Sequence, residues 1–156
     1  LGLVTGQMIG RWGNFINCEA FGRYTDCLFA MRIRRSIVNE SMISQNILDH
    51  LIVDNGIEYI QVHPTFLYES LWNFGLLMFM LWFRKRKTFT GEMLCIYLAG
   101  YGIGRAWIEG LRTDSLLIPG TQIAVSQALS VVLATVSLVI LIYNRRKAFV
   151  QRKEAN

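Results

Sequence analysis

Four polar side chains stand out in the first apolar stretch of the chain: Arg11, Asn14, Asn17 and Glu19, set between Leu1 and Gly22. A charge at membrane depth costs roughly 2.5–3.5 kcal/mol on insertion scales and normally faces a cavity or a partner. On a helix Arg11 and Asn14, three residues apart, share a face, and Glu19 stands one further turn away. A guanidinium offers paired donors in a planar fork and never loses its charge, which suits it to phosphate. Asn14 can donate to a phosphate or ester oxygen without adding charge. Spacing alone leaves two readings open: an anion site, or an Arg11–Glu19 ion pair that only ties helices together.

A second cluster comprises Arg105, Glu109, Arg112 and Asp114. Arg105 and Glu109 are four apart and Arg112 three further on, so one helical face reads plus, minus, plus. This is either an interfacial ion-pair ladder or, because arginine exceeds what Glu109 can neutralise, a second place for an anion. The third segment is His63-Pro64-Thr65-Phe66-Leu67-Tyr68-Glu69. Pro64 fits the first turn of a helix, where its missing N–H costs nothing. His63 can act as a base near neutral pH, although a lone interfacial histidine more often caps or hydrogen-bonds. Glu69, one turn inside an apolar block, is expected to pair with one of the arginines. Cys18, Cys27 and Cys95 lack CxxC or paired spacing, so they read as small buried thiols. No metal and no cofactor are expected, and His50 has no motif around it.

The elements that must hold these residues are apolar blocks. The 156 residues are 53% hydrophobic and 17% charged, less charge than a soluble domain usually carries. Residues 123–143 hold no charge and end on Asn144-Arg145-Arg146-Lys147; at about 1.5 Å per residue that crosses a hydrocarbon core of about 30 Å. Residues 66–83 contain Glu69 as their one charge, have Trp72 and Trp82 near their ends, and run into Arg84-Lys85-Arg86-Lys87. Residues 93–108 form a third block, in which Gly100, Gly102 and Gly104 offer small surfaces for close packing. The net charge of +5 gathers just after apolar blocks, as cytoplasmic anchors of membrane helices do, which argues against a nucleic-acid surface.

One topology satisfies both basic clusters. Block 66–83 runs inward, 93–108 runs back out and 123–143 returns, leaving 145–156 as a basic cytoplasmic tail and 23–63 and 109–121 outside. Residues 1–22 form a membrane-embedded segment, and residues 64–144 hold the three transmembrane helices. Residues 23–63 carry Arg23, Arg32, Arg34 and Arg35 against Asp26, Glu40, Asp49, Asp54 and Glu58 and read as a polar subdomain. Strands are expected over 28–34 and over 57–62, the latter after an Asp54-Asn55-Gly56 turn, with a short helix over 44–53. The expected fold class is an all-α polytopic membrane protein with a small extracytoplasmic α+β head subdomain. The chain opens on Leu1 with no charged n-region and reads as the later part of a longer protein.

Gly10 to Gly22 resembles the signature of the prolipoprotein diacylglyceryl transferase family: Gly-Arg, a variable residue, Gly-Asn-Phe, a hydrophobic residue, Asn, a variable residue, Glu, two variable residues, Gly. His63 to Glu69 resembles a second family block, and Gly104-Arg105 through Glu109, Arg112 and Asp114 a third, so the resemblance covers essentially the whole chain. It implies transfer of the diacylglyceryl group of phosphatidylglycerol to the lipobox cysteine thiol of a prolipoprotein, with glycerol phosphate leaving. It places the enzyme in the bacterial cytoplasmic membrane, its active site facing the extracytoplasmic side. By position, Arg11 is the phosphatidylglycerol-binding arginine with Asn14 and Glu19 beside it. Arg105 is the second essential arginine with Glu109 and Arg112 around it, and Tyr68, Glu69 and His63 contribute to substrate binding. The implied partners are phosphatidylglycerol, the precursor's signal peptide and membrane lipid, not nucleic acid. The family's general base is a histidine in an earlier segment, upstream of Leu1. Two other classes are weighed against this one. A transporter or channel fragment would show repeated or inverted helices, and none is seen; a scaffold docking through 23–63 would not explain arginines in two apolar blocks.

Overall fold

The computed structural model describes residues 1–112, 115, 116, 118–121 and 123–154, and all of their side chains except those of Arg152 and Glu154. In chain order the elements are α1 (Gly2–Ile16), β1 (Met31–Arg34), α2 (Gln45–Leu48), β2 (Ile52–Asp54), β3 (Ile57–Val62), α3 (Thr65–Phe83), α4 (Glu92–Glu109) and α5 (Val125–Glu154). The chain is mostly helical. Two stretches, Thr65–Arg86 and Val125–Gln151, are long and apolar enough to cross a membrane. α4, with Glu92, Arg105 and Glu109 in its 18 residues, is not.

α1 packs against α3, and α4 lies against both α3 and α5. Val4, Met80, Phe83 and Ile96 form a buried apolar cluster where α1, α3 and α4 meet. The glycines of α4 divide between its two neighbours. A Cβ on Gly104 would collide with the Trp72 ring, and one on Gly102 would sit 2.6 Å from the Ser130 carbonyl of α5. Trp72 Nε1 also donates to the Gly100 carbonyl at 2.8 Å. Small residues therefore let the backbone of α4 approach both helices, as van der Waals packing between apolar helices requires.

α5 does not stop where its apolar block does. It runs through Glu154, so the basic segment expected as a tail is the last turns of this helix. Arg, Lys, Ala and Gln are good helix formers, and a run of charges ends hydropathy without ending a helix.

Residues 21–62 build a small unit of their own. Its sheet is antiparallel in the order β1-β3-β2, and Phe21, Ile33, Val38, Ile47, Ile60 and Val62 form its core. Asp54 pairs with Ile57, leaving Asn55 and Gly56 (φ +49° and +77°) as a two-residue turn. Positive φ at both central positions matches the twist of a tight hairpin. That turn pulls Ile52–Asp54 into the sheet as β2, so the helix expected over 44–53 shrinks to the four residues of α2. The strand expected over 28–34 begins only at Met31, because Ala30 N–H closes a turn on the Cys27 carbonyl. Cys27 in that turn is exposed, and Cys18 and Cys95 are half-buried. The expectation of three buried thiols fails, most clearly at Cys27.

Candidate functional site

α3 carries a polar stripe in an apolar helix: Thr65, Glu69 and Asn73, four residues apart and 1%, 4% and 3% exposed. Spacing of i, i+4, i+8 keeps them on one face, so burial of all three means that this face meets other polar groups. Glu69 meets three arginines from three parts of the chain. Its Oε2 lies 2.7 Å from Arg11 Nε of α1. Its Oε1 accepts from Arg105 Nη1 of α4 at 3.2 Å and lies 4.0 Å from Arg112 Nη1. Arg105 also reaches Glu109, four residues on, with Nη2 2.9 Å from Oε2. That last contact is ionic rather than hydrogen-bonded, being out of alignment. Ser115 Oγ donates to the other oxygen of Glu109 at 2.9 Å.

The two clusters that spacing kept apart are thus one. No Arg11–Glu19 pair forms; the Arg105–Glu109 pair that spacing suggested does form, but inside a cluster in which both arginines also reach Glu69. Three guanidinium groups thus meet at Glu69, where burial weakens screening. Arg11 spends its Nε on Glu69, and among the described residues its two terminal nitrogens are left for another anion, in the geometry a phosphate can fork. Asn14, one turn on, has no side-chain partner among the described residues. Beneath the cluster a cavity of about 10 Å³, lined among others by Glu69, Asn73, Tyr101 and Arg105, has room for a single water at most. Asp114, expected beside Arg112, lies outside the described residues.

Glu19 is not part of the cluster. α1 ends at Ile16, and Cys18 and Ala20 adopt φ of +53° and +55°. These left-handed residues turn the chain off the helix axis, so Glu19 no longer follows Arg11 and Asn14 on one face. Its carboxylate accepts from Asn17 Nδ2 at 3.1 Å, and its N–H closes on the Asn14 carbonyl. The turn delivers Phe21 to the core of the small unit and Gly22 to a three-way backbone junction. Gly22 N–H donates to the His63 carbonyl at 2.9 Å, and the next N–H, of Arg23, donates to Leu111 at 2.9 Å.

Gly22 is the glycine of the signature that space demands. An added Cβ would sit 2.7 Å from His63 Cβ and 3.0 Å from the Leu111 carbonyl, whereas Gly10 and Gly13 have nothing within 4 Å. The Gly22→Ala protein is expected to be destabilised by about 1–3 kcal/mol, the usual cost of overpacking. The cost should appear as a lower thermal midpoint and faster proteolysis between residues 23 and 63. An unchanged midpoint would show that the junction opens without penalty.

Sequence reasoning missed the groups that seat α1 on α3. Trp12 Nε1 donates to Ser70 Oγ at 3.2 Å, and Ser70 Oγ donates in turn to the Met8 carbonyl at 3.1 Å. The Trp12 and Phe15 rings pack on Phe66, with centroids 5.4 and 4.9 Å away. Thr65 Oγ1 donates to the Ala20 carbonyl. The available signal was the four-residue repeat of Thr65, Glu69 and Asn73.

His63 and Tyr68 sit beside this cluster without joining it. His63 Nδ1 lies 3.1 Å from the Tyr68 hydroxyl, which lies 4.0 Å from Cys27 Sγ. Partial burial holds the His63 imidazole below its ordinary pKa, favouring the neutral ring. The Cys27 thiol is held below the usual value chiefly by the Thr25 hydroxyl. Tyr68 also stacks on Trp107 at 6.3 Å.

An arginine cluster set among apolar helices has the chemistry to hold an anion. The model of the family described as prolipoprotein diacylglyceryl transferase matches residues 1–143. The chain belongs to the prolipoprotein diacylglyceryl transferase family. Its relatives in that family include three proteins named phosphatidylglycerol–prolipoprotein diacylglyceryl transferase. The one from Bacillus velezensis is 36% identical over 154 residues, 99% of this chain and 52% of that protein. The one from Streptococcus agalactiae is 43% identical over 148 residues, 94% of this chain and 51% of that protein. The one from Synechococcus elongatus is 45% identical over 131 residues, 78% of this chain and 39% of that protein. The chain spans about half the length of the first two. No solved structure matches it. All the residues around Glu69 fall inside the prolipoprotein diacylglyceryl transferase match.

Proposed function

We propose that the whole protein transfers the diacylglyceryl group of phosphatidylglycerol to the lipobox cysteine thiol of a prolipoprotein, and that this chain supplies the arginines that hold the lipid's phosphate. The convergence of Arg11, Arg105 and Arg112 on the buried Glu69 carries the reading. Glu69 positions the arginines, and the outward edges of Arg11 and Arg105, with Asn14, take the headgroup. Family membership supports this reading, and nothing in the fold favours a transporter or channel.

The protein is a multi-pass protein of the bacterial cytoplasmic membrane, with α3 and α5 crossing, α4 carried across between them because its charges Glu92, Arg105 and Glu109 are buried or paired, and residues 23–63 as an extracytoplasmic head. The two ends of α3 support this placement. Glu69 lies within its first two turns, and Arg84, Lys85, Arg86 and Lys87 follow its other end, where positive charge marks the cytoplasmic side. The arginine cluster then sits near the outer surface, where a signal peptide still anchored in the bilayer can present its cysteine.

In the reaction the thiol gives its proton to a general base and the thiolate sulfur attacks the glyceryl carbon that bears the phosphate ester. The C–O bond breaks, a thioether forms, and the electron pair leaves with oxygen on glycerol phosphate. Positive potential from Arg11 and Arg105 favours the thiolate. The same groups stabilise charge developing on the departing phosphate oxygen in a poorly screened site. His63 is tied through Nδ1 to Tyr68 and holds the entrance to α3 rather than serving as the base. The deciding experiment gives full-length protein labelled phosphatidylglycerol and a lipobox peptide. A thioether-linked peptide and an equal amount of glycerol phosphate are expected, and a peptide left unmodified would overturn the assignment.

A further inference from the structure

The far end of the helices carries a second built arrangement of charge. Glu92, at the start of α4, is fully buried at 0% exposure. It accepts from the backbone N–H and the hydroxyl of Thr88 and from Arg145 Nε of α5. Arg145 also lies over the Phe83 ring at 4.7 Å. A carboxylate buried among such donors fixes its arginine in one place. Arg145 meets Glu92 through Nε while its side chain stays 39% exposed.

Arg145 lines a cavity of about 550 Å³ together with Thr88, Arg146, Ala148, Phe149 and Val150. The volume is in the range of ordinary ligand sites. Its lining includes Phe149 and Val150, two apolar side chains that are themselves solvent-exposed, at 71% and 51%. Arg146 makes no ion pair among the described residues. A 30-residue helix is about 45 Å long, against a hydrocarbon core of about 30 Å, so the last turns of α5 emerge from the bilayer. On that placement the cavity sits at headgroup depth, with Arg145 and Arg146 lining it beside Ala148, Phe149 and Val150.

We propose that this cavity binds an anionic phospholipid of the cytoplasmic leaflet, its phosphate between Arg145 and Arg146 and its upper acyl chains against Phe149 and Val150. The assignment rests on the membrane placement of α3 and α5 proposed above, but not on the transfer reaction. It is distinct from the cluster around Glu69, which belongs to the opposite end of α3. Generic attraction of basic loops to anionic lipid would treat every exposed cation alike. A built site distinguishes Arg146, which lines the cavity, from Lys147, which carries the same charge one residue on and does not line it.

The test uses full-length protein in neutral phosphatidylcholine nanodiscs and dioleoyl phosphatidic acid as probe, with retained lipid counted by native mass spectrometry. Lipid held by Arg11 and Arg105 is common to all variants and cancels in the comparison. Arg146→Ala is expected to weaken retention about tenfold, the scale of one charge-assisted contact. Arg146→Lys should fall between, and Lys147→Ala should stay within about twofold of the parent. Equal losses for Arg146→Ala and Lys147→Ala would reduce the effect to diffuse surface charge and overturn the site, as would no loss for either. Displacement of the lipid by millimolar inorganic phosphate would overturn the lipid as occupant. Retention is read without turnover, so a failed transfer assay leaves this result standing, and the reverse.

Discussion

Replacing Arg11 by alanine in the full-length protein is expected to lower diacylglyceryl transfer about a hundred- to a thousandfold, the usual loss when one preorganised donor to a developing anion is removed. Folding should survive. Glu69 keeps Arg105 at 3.2 Å and Arg112 at 4.0 Å, so its buried carboxylate is not orphaned. Arg11 itself is 21% exposed in its side chain, so its removal leaves space that water can enter. The measurement is label from phosphatidylglycerol on a lipobox peptide, with an unchanged elution profile as control. Undiminished transfer would remove Arg11 from the mechanism. Arg105→Ala should be as inactive and less stable as well, because Arg105 touches both Glu69 and Glu109. Arg105→Lys should not restore activity, since an ammonium lacks the fork that spans two carboxylates. Full rescue by lysine would show that charge alone suffices.

The sequence made Arg11 and Arg105 visible but not their common partner. Both stand out as charges in apolar runs, which hydropathy exposes at once. Their meeting at Glu69 depends on contacts 58 and 36 residues apart along the chain, and nothing local encodes such a contact. The four-residue repeat of Thr65, Glu69 and Asn73 was the one available pointer, because a buried polar stripe must face polar partners.

Local signals served well where geometry is local. Asn55-Gly56 marked a hairpin because few other residues tolerate φ above zero at both positions. They failed where tertiary contacts override preference. Cys18 and Ala20 adopt left-handed backbone that neither residue favours, held by the docking of Phe21 and Gly22, so Glu19 looked like part of a helix that had already ended. β2 is only three residues long, too short for alternation to show, and the hairpin turn alone makes it a strand. The end of α5 was obscured for the opposite reason, since its charges hid a helix that propensity allows to continue.

Glu69→Gln is expected to damage the protein more broadly than any arginine substitution. The amide is nearly isosteric, so packing along α3 is preserved and only the charge is lost. Glu69 is 4% exposed and is the shared counter-ion of three guanidinium groups. Without it Arg11 loses the carboxylate it pairs with, and Arg105 keeps Glu109 alone of the two carboxylates it reaches. Removing one partner of a buried ion pair costs about 3–5 kcal/mol, because the remaining charge stays desolvated and unpaired. The Glu69→Gln protein should therefore show a lower thermal midpoint together with loss of transfer. Glu69→Asp should retain the midpoint better while still losing activity, since it restores the charge but shortens its reach by about one carbon–carbon bond, and displacements of about 1 Å are costly in a preorganised site. The two variants separate the parts that Glu69 plays. If Glu69→Gln keeps both its midpoint and its activity, the arginines do not depend on this carboxylate, and the cluster is held by Glu109 and the backbone around Gly22. If Glu69→Asp is as active as the parent, the arginines tolerate displacement and bind the headgroup by field rather than by fork. Loss of activity in both, with loss of stability only in Glu69→Gln, is the outcome that a positioning carboxylate requires.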